Sequence, residues 1–277
     1  MMEINKIYQG DCLELMKQIE DKSIDLIIID PPYNIKIAKW DILSSKEFLE
    51  LCKKVIKESY RVLKENGSIY FYGTIKNIDF FKIPELFIQE KFIYKNCISI
   101  GHYSNFERNI KNWQNRKEEL LFFVKSEEFT FNFQLDFPSE SMLNRWGSYA
   151  IDGKIPYELL TPAQQNRFKK QKKPMGLTGG VAKNWWIINH ICGGNKEKVN
   201  HPTQKRLMGC DRIILASSNK DDIILVPFAG SGSECISAYK NGRKFIGIEL
   251  SPEYCEIANK RIEEALKSKK EVLLWTP

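Results

Sequence analysis

Apolar residues recur along the chain with two spacings, one typical of buried strands and the other of amphipathic helices. The continuous apolar run at 26–29 predicts a buried strand, and similar runs predict strands that end at Val226 and at Glu249. Helical spacing predicts a helix from Ser45 to Lys64, followed by a turn and a strand at 68–72. Further strands are predicted at 94–100 and 120–124, and further helices at 205–218, 234–241 and 252–268.

These predicted strands are separated by helix-length segments, which indicates a parallel sheet with right-handed crossovers. We therefore predict an α/β fold with a mostly parallel, Rossmann-like sheet and helices on both faces. Between 101 and 200 the periodicity becomes sparse and prolines are scattered among Gly, Asn, Gln and Lys. The chain is expected to divide into one half of an α/β domain at 1–100, a loop-rich insertion at 101–200, and the other half of the same domain at 201–277.

Length and composition are those of a soluble globular protein, because 277 residues with 43% hydrophobic content can form a sizeable core. No apolar stretch approaches the roughly 20 residues that span a bilayer, and the N-terminus lacks a secretion signal, so a cytoplasmic location is expected. The seven cysteines are widely spaced without a Cys-x-x-Cys pair, and the three histidines lack metal-ligand spacing. Reduced thiols and no metal site are therefore expected.

A formal charge of +7 suits a partner with a phosphate backbone, although many proteins that never bind nucleic acid have a similar charge. Basic residues are interleaved with aromatic and amide residues in the middle third of the chain, which either forms a solvated surface loop or contacts phosphates. The candidate DNA-binding residues are Arg108, Lys111, Arg116, Lys117, Arg167, Lys169, Lys170, Lys172 and Lys173.

Three predicted strands end in residues that can bind a ligand, and in open α/β sheets ligands bind at that edge. One strand ends at Asp30, another opens into a turn containing Gly230 and Gly232, and a third ends at Glu249. Such a turn lets a backbone approach a ligand closely, and the later acid has the spacing of a ribose-binding carboxylate. Nicotinamide and S-adenosylmethionine sites share these features, but the third glycine of a dehydrogenase fingerprint is replaced here by Cys235.

The segment Asp30-Pro31-Pro32-Tyr33 favours methyl transfer to an exocyclic amine. Such a nitrogen is a poor nucleophile because its lone pair is delocalised into the ring, so two hydrogen-bond acceptors are needed to hold it towards a tetrahedral geometry. The Asp30 carboxylate and the Pro31 carbonyl can accept its two hydrogens, while the prolines fix the backbone and the Tyr33 ring stacks on the base. The alternative is that the segment is only a turn that closes a strand.

Four segments together resemble the amino-type DNA methyltransferases of the β group, of restriction-modification type, in which the catalytic motif precedes the recognition region and the donor motif comes last. They are Asp30-Pro31-Pro32-Tyr33-Asn34, His201-Pro202-Thr203-Gln204-Lys205, Phe228-Ala229-Gly230-Ser231-Gly232-Ser233 and Phe245-Ile246-Gly247-Ile248-Glu249. In this family Asp-Pro-Pro-Tyr usually accompanies N6-adenine methylation and Ser-Pro-Pro-Tyr N4-cytosine methylation. The resemblance therefore implies a sequence-specific adenine-N6 methyltransferase, with the cytosine-N4 enzyme as its nearest alternative.

The resemblance also implies roles for individual residues. Asp30, Pro31, Pro32 and Tyr33 are the implied catalytic residues. S-adenosylmethionine is the implied methyl donor, and its implied contacts are Asp11, Cys12, Asp30, Thr203, Lys205, Phe228, Ala229, Gly230, Ser231, Gly232, Ser233 and Glu249. Asp11 is implied to accept from the donor's adenine, and 203–205 to lie near its methionine carboxylate. Read from spacing alone, Asp11 is equally an N-cap of the next helix, and His201 is better read as part of a turn than as a base.

Two departures from the family pattern stand near the donor motif. Val226 occupies the position before Pro-Phe-Ala-Gly at which the family often has an acid, so the partner of the donor's ammonium group is left open. Arg206 stands where the family often has proline. Neither departure touches the residues of the proposed transfer chemistry.

Double-stranded DNA is the expected substrate, and a target base inside a duplex has to be flipped out to reach Asp30. The insertion at 101–200 is then the expected recognition region, with Arg and Lys on phosphates and polar side chains on base edges. The family also allows a homodimer and a cognate restriction endonuclease, although no residue pattern indicates either. A nicotinamide-dependent oxidoreductase and a catalytically silent DNA-binding protein are the alternatives from other classes.

Overall fold

The computed structural model describes residues 2–36, 38–102, 115–134, 183–189, 191, 195 and 197–274. Within them the chain forms one sheet of eight strands, ordered β1-β8-β7-β2-β3-β5-β4-β6. The strands are β1 (Lys6–Gln9), β2 (Ile24–Ile29), β3 (Leu63–Gly73), β4 (Ile93–Gly101), β5 (Lys117–Val124), β6 (Trp185–Ile187), β7 (Ile223–Val226) and β8 (Lys244–Glu249). Among these described strands only β5 runs antiparallel to its neighbours, which confirms the mostly parallel α/β sheet.

Helices cover both faces of this sheet, as predicted. They are α1 (Cys12–Met16), α2 (Ser45–Val62), α3 (Ile83–Gln89), α4 (Leu207–Ser217), α5 (Ser233–Lys240) and α6 (Pro252–Leu274), with short 3-10 turns at Lys39–Asp41 and Ile78–Lys82. The buried side chains of α1 to α3 share one core with one face of the sheet, and those of α4 to α6 share a second core with the other face. The sheet is therefore sandwiched between two helical layers.

Strand β2 shows why the central strands are apolar along their whole length. Leu26 and Ile28 point into the core beneath α4 to α6, whereas Ile27 and Ile29 point into the core beneath α1 to α3. Successive side chains of a strand alternate between the two faces, and here both faces are covered. A continuous apolar run is the result, and its end at Asp30 marks the edge of the sheet.

Helix α2 begins with a capping box, in which Ser44 and Glu47 satisfy each other's backbone amides, as expected for an amphipathic helix of this length. It ends at Val62, and β3 begins at Leu63 without an intervening turn. The predicted strand start at 68 was therefore too late. The reason is an irregularity in the pairing of β2 with β3, where the register jumps from Ile24 opposite Leu63 to Leu26 opposite Ser68.

The order of the strands places the crevice between β2 and β7. The crossover after β2 runs through α2 on one face, and the crossover after β7 runs through α5 on the other, so the sheet changes winding direction between these two strands. Ligands of open α/β sheets bind outside the carboxyl ends at such a point. Because β5 is antiparallel to β3 and pairs Glu119 with Gly73, the first residues of β5 reach this same edge.

The predicted insertion at 101–200 contributes two strands to the sheet, β5 and β6. The segment Phe133–Lys183 is a separate unit, and the structure describes only residues 133, 134 and 183 of it. Strands β1 and β6 were not predicted, because β1 has a single buried residue, Ile7, and β6 is only three residues long, so neither carries a clear pattern. None of the described helices has an apolar stretch of the length that crossing a bilayer requires.

Candidate functional site

A cavity of about 330 Å³ opens at the carboxyl edge of β2, β7 and β8. It brings together most of the residues predicted from sequence. The predicted residues that line it are Asp11, Cys12, Asp30, Pro31, Pro32, Tyr33, Thr203, Lys205, Phe228, Ala229, Gly230, Ser231 and Glu249. Gly232 and Ser233, also predicted, are not among the residues that line it.

Lys205 connects the residues around the end of β2. Its Nζ lies 3.1 Å from Asp30 Oδ1 and 3.1 Å from Glu118 Oε2, and it donates a hydrogen bond of 2.8 Å to the Tyr33 hydroxyl. The ammonium also lies over the rings of Tyr33 and Tyr72, at 5.0 and 4.5 Å from their centroids. A single buried cation therefore holds two carboxylates and two aromatic rings in place.

Burial and charge act against each other within this group. Burial raises the pKa of Asp30, and the nearby Lys205 ammonium limits that rise. Burial alone would lower the pKa of Lys205, but the charges of Asp30 and Glu118 outweigh it and the pKa is raised. Burial also raises the pKa of Tyr33 well above its usual value, so the phenol stays neutral. Asp30 Oδ1 is buried beside Lys205, while the Asp30 side chain as a whole stays 18% exposed.

The loop after Tyr33 is fixed by a carboxylate that sequence reasoning missed. Asp41 is fully buried, and it accepts hydrogen bonds from the backbone amides of Asn34 at 2.6 Å and Ile35 at 3.0 Å. Asn34 in turn accepts from the amide of Leu43 at 2.9 Å. These contacts close the loop back on itself, so the backbone that carries Asp30 to Tyr33 has a defined shape.

The glycine turn after β7 is held by Glu249, and the absence of a side chain at Gly230 leaves room for the His201 ring. Glu249 accepts from the Gly230 amide at 2.8 Å and from the Ser251 amide at 2.8 Å. Gly230 has φ of +50°, and a Cβ at this position would lie 3.1 Å from Nε2 of His201. His201 is buried, and burial lowers its pKa to about 4, so the ring is neutral and packs against the turn and against Tyr254.

Gly232 and Ser233 begin helix α5 behind the cavity wall. Gly232 is the N-cap in a left-handed conformation. Ser233 accepts a hydrogen bond of 3.2 Å from Arg261, whose Nη1 also donates to the Ser231 carbonyl. Both residues thus shape the turn from behind.

At the opposite end of the cavity, Asp11 caps helix α1. Its Oδ1 accepts from the amides of Leu13 at 2.7 Å and Glu14 at 3.4 Å, so the N-cap reading is confirmed while the side chain also lines the cavity. Cys12 beside it is buried, and burial raises its pKa to about 12, which keeps the thiol neutral. The lining of the cavity therefore combines the acidic groups of Asp11 and Asp30 with the apolar side chains of Phe228, Leu250 and Leu43.

Two further carboxylates of the site were not identified from sequence. Glu118 is the second residue of β5 and Glu234 lies in the first turn of α5, and both act on Asp30 and Lys205 through their charge. Neither belongs to a recognisable motif. The signal that could have found Glu234 is a charged residue two positions after Gly232, in a helix where its neighbouring residues are all small or apolar.

A second cavity of about 350 Å³ adjoins the first, and the two share Tyr33, Thr203, Gln204 and Lys205. Glu118 and Lys117 line it. Of the predicted DNA-binding residues, Lys117 is paired with Glu119 at 2.6 Å, and Arg116 is described just before β5. The other seven, Arg108, Lys111, Arg167, Lys169, Lys170, Lys172 and Lys173, lie outside the described residues.

This arrangement can orient and polarise an amine, and the described cysteines are not activated as nucleophiles. The described cysteines are Cys12, Cys52, Cys97, Cys210, Cys235 and Cys255; all are free thiols, and burial raises the pKa of each. Among the described residues, no three His, Cys, Asp or Glu side chains converge as a metal site would require.

Residues 24–260 match the family model described as DNA methylase. The type II methyltransferase M1.MboII of Moraxella bovis is 33% identical, over 94% of this chain and 96% of that protein. The DNA adenine methyltransferase YhdJ of Escherichia coli (strain K12) is 34% identical, over 95% of this chain and 84% of that protein. The solved M1.HpyAVI–SAM complex has the same fold, with a TM-score of 0.60 and 24% identity over 93% of this chain and 98% of that chain.

Proposed function

The chain belongs to the amino-type (N6/N4) DNA methylase family, and from that premise we propose that it is a sequence-specific adenine-N6 methyltransferase of restriction-modification type. The observation that carries the proposal is the Asp30 carboxylate at the end of β2. The carboxylate lines the first cavity, and Lys205 lies 3.1 Å from its buried oxygen Oδ1. A carboxylate held in this way can offer its other oxygen, Oδ2, to the amino group of a target base.

The first cavity fits S-adenosylmethionine. Its volume of about 330 Å³ lies in the range of small-molecule sites, and its apolar middle suits an adenine ring. The Gly230 turn lets a ligand approach the backbone. Asp11 also lines the cavity, and its carboxylate can accept a hydrogen bond from the amino group of the donor's adenine. When bound, S-adenosylmethionine supplies an electrophilic methyl group.

The residues of this chain then act on the amine. Asp30 accepts one N–H and the Pro31 carbonyl accepts the other, which turns the nitrogen lone pair out of the ring plane. The Tyr33 ring stacks on the base, held from behind by Lys205. With the donor bound, the nitrogen would form its bond to the methyl carbon as the carbon–sulfur bond breaks, leaving S-adenosylhomocysteine, and the methylated amine would lose one proton to water.

Adenine is favoured over cytosine by the aspartate at position 30 and by the name of one relative, the DNA adenine methyltransferase YhdJ. The second cavity adjoins Tyr33 and Lys205, so a flipped base can enter there and present its amino group at the boundary with the first cavity. Residues 101–200 are the proposed recognition region, and their basic side chains are proposed to contact DNA. A cognate endonuclease and the formation of a homodimer stay predictions.

The proposal is tested by labelled methyl transfer from S-adenosylmethionine to unmethylated genomic DNA, followed by digestion to nucleosides and mapping of modified positions. We expect N6-methyladenine in one sequence context. N4-methylcytosine would instead make the chain a cytosine enzyme of the same family. Absence of label, with binding of NADH in place of the methyl donor, would indicate an oxidoreductase.

Asp30→Ala is expected to lower transfer by at least about 100-fold, because an acceptor aimed at the reacting nitrogen contributes roughly 3 kcal/mol. Donor binding, measured by calorimetry, is expected to stay close to that of the unmodified protein. Asp21→Ala is the matched control, since this carboxylate is exposed and its partner Arg61 lies outside the cavity lining. Full turnover by the Asp30 variant would refute the assigned role.

A further inference from the structure

Glu234 is a buried carboxylate with an unsatisfied oxygen in the wall of the first cavity. The residue is 3% exposed, and Oε1 has no hydrogen-bond partner among the described residues. The carboxylate does receive its own backbone N–H at the start of α5, but that contact leaves the second oxygen free. A buried charged oxygen without a donor is costly, so a bound group that supplies one is expected.

The cations nearby do not fill this role. Lys205 and Arg261 act on Glu234 through their charge but donate no hydrogen bond to it. Lys205 is already engaged by Asp30, Glu118 and Tyr33, and Arg261 donates to Ser231 and Ser233.

The charges around Lys205 are also unbalanced. Asp30, Glu118 and Glu234 all act on this single ammonium. Burial first, and then the charge of Asp30, raises the pKa of Glu234 to about 7, and the charges of Lys205 and Arg261 only limit that rise. A positively charged ligand group would restore the balance, whereas a neutral group would leave it unchanged and an anionic group would worsen it.

We propose that Glu234 binds the α-ammonium group of the methyl donor through Oε1. This inference rests on the proposed function, because it takes S-adenosylmethionine as the occupant of the first cavity. The donor carries two cationic centres, an ammonium and a sulfonium. Only the ammonium has N–H groups, so only it can satisfy an oxygen that lacks a hydrogen-bond donor.

The same inference accounts for Val226. This residue is fully buried in β7 and can neither donate nor accept through its side chain. Glu234 supplies a carboxylate from the other side of the glycine turn, eight positions later in the chain. The acid is thus provided by helix α5 and not by the end of the strand.

The experiment measures binding, in the absence of DNA, of S-adenosylhomocysteine and of its analogue in which the α-amino group is replaced by hydrogen. Neither ligand carries a sulfonium, so their difference reports on the ammonium alone. Glu234→Gln is expected to weaken binding of S-adenosylhomocysteine by about 10- to 100-fold, the contribution of a charge-assisted hydrogen bond. Binding of the deaminated analogue is expected to change by less than about 3-fold, since it lacks that bond.

Two controls separate this role from a structural one. Glu256→Gln removes an exposed carboxylate from α6 and is expected to leave both affinities unchanged. Glu234→Gln is also expected to raise the melting temperature of the ligand-free protein at pH 8. The folded pKa of about 7 lies above the usual value of 4.5, so ionisation of Glu234 destabilises the fold increasingly from pH 4.5 to 7 and fully above that.

Equal losses for both ligands in Glu234→Gln, or no loss for either, would overturn the inference while leaving the donor assignment intact. A lower melting temperature at pH 8 would also overturn it, because Glu234 would then be a structural partner. Failure of the unmodified protein to bind S-adenosylhomocysteine at all would overturn the donor assignment itself, and the inference with it.

Discussion

Lys205 determines the charge state of the site, because it is the cation between two carboxylates. It lies 3.1 Å from both Asp30 and Glu118, and its side chain is only 11% exposed. A buried ion pair is weak evidence of stability, but removal of one partner leaves an uncompensated charge that is costly. The residue is therefore a positioning residue that acts through Asp30 and Tyr33.

Lys205→Met is expected to raise the pKa of Asp30. Burial raises this pKa and the Lys205 ammonium lowers it, so only the raising effect remains when the ammonium is removed. An ionised Asp30 is the better acceptor, so the acid side of the pH–rate profile should move to higher pH. At pH 7 we expect a loss of about 100-fold in methyl transfer. The charged or titratable groups facing Asp30 are Tyr33, Glu118, Lys205 and Glu234.

The double variant Lys205→Met/Glu118→Gln is the control for this prediction. Removal of the second carboxylate relieves its repulsion of Asp30, so the profile should move part of the way back. A pH–rate profile that stays where it is in both variants would show that Lys205 does not act through the charge of Asp30.

Strand ends and the turns that follow them carry most of the site. The end of β2 provides Asp30, the end of β8 provides Glu249, and the turn after β7 provides Gly230. Each turn is fixed by a carboxylate that accepts backbone amides, Asp41 for the first and Glu249 for the last. Backbone held in this way requires little rearrangement when a ligand binds.

Gly230→Ala tests the turn, with Gly242→Ala as its matched control. Both glycines have positive φ, +50° and +78°, so each substitution is expected to cost about 1 to 2 kcal/mol of stability. A Cβ at Gly230 meets His201 at 3.1 Å, whereas at Gly242 it meets only Lys220 at 3.5 Å.

Thermal melts should show similar destabilisation for the two variants. Binding of S-adenosylhomocysteine should fall by at least about 10-fold, or about 1.4 kcal/mol, only in Gly230→Ala, because its Cβ displaces His201 and the turn in the cavity wall. Equal affinities in the two variants would show that the turn does not contact the donor.

At the scale of the whole molecule, the net charge of +7 favours binding to a negatively charged substrate and says nothing about the fold. Four of the predicted phosphate-binding residues fall within 169–173, inside the unit Phe133–Lys183 that is separate from the sheet. This division assigns transfer chemistry to one unit and predicts that DNA affinity depends strongly on the other.

Replacement of Lys169, Lys170, Lys172 and Lys173 by alanine is expected to weaken DNA binding and flatten its salt dependence, by about one unit of slope for each phosphate that is no longer neutralised. The control removes the same charge from the other unit, at the exposed residues Lys17, Lys53, Lys54 and Lys57. Affinity is measured between about 50 and 200 mM salt, where the logarithm of the binding constant falls linearly with the logarithm of the salt concentration. An unchanged slope in the first variant, or an equal change in both, would contradict the assignment.

Elements were predicted correctly where the residues that determine them lie close together in the sequence. The strands ending at Val226 and Glu249 and the helix α2 are set by side-chain periodicity within a few residues, and the structure confirms them. The start of β3 was misjudged, because a register irregularity between β2 and β3 depends on a partner strand. Strand β6 could not be predicted, because three residues become a strand only by pairing with β4.

The sequence by itself determined the α/β fold, the order of the motifs and the residues that meet at the carboxyl edge, because apolar runs and turn residues encode where each strand ends. Only the tertiary structure decided which charges face one another. Lys205 pairs with Glu118 across 87 positions and with Tyr33 across 172, and an antiparallel β5 is what brings Glu118 to the edge. The unsatisfied oxygen of Glu234 likewise depends on the burial of its helix, which no local pattern specifies.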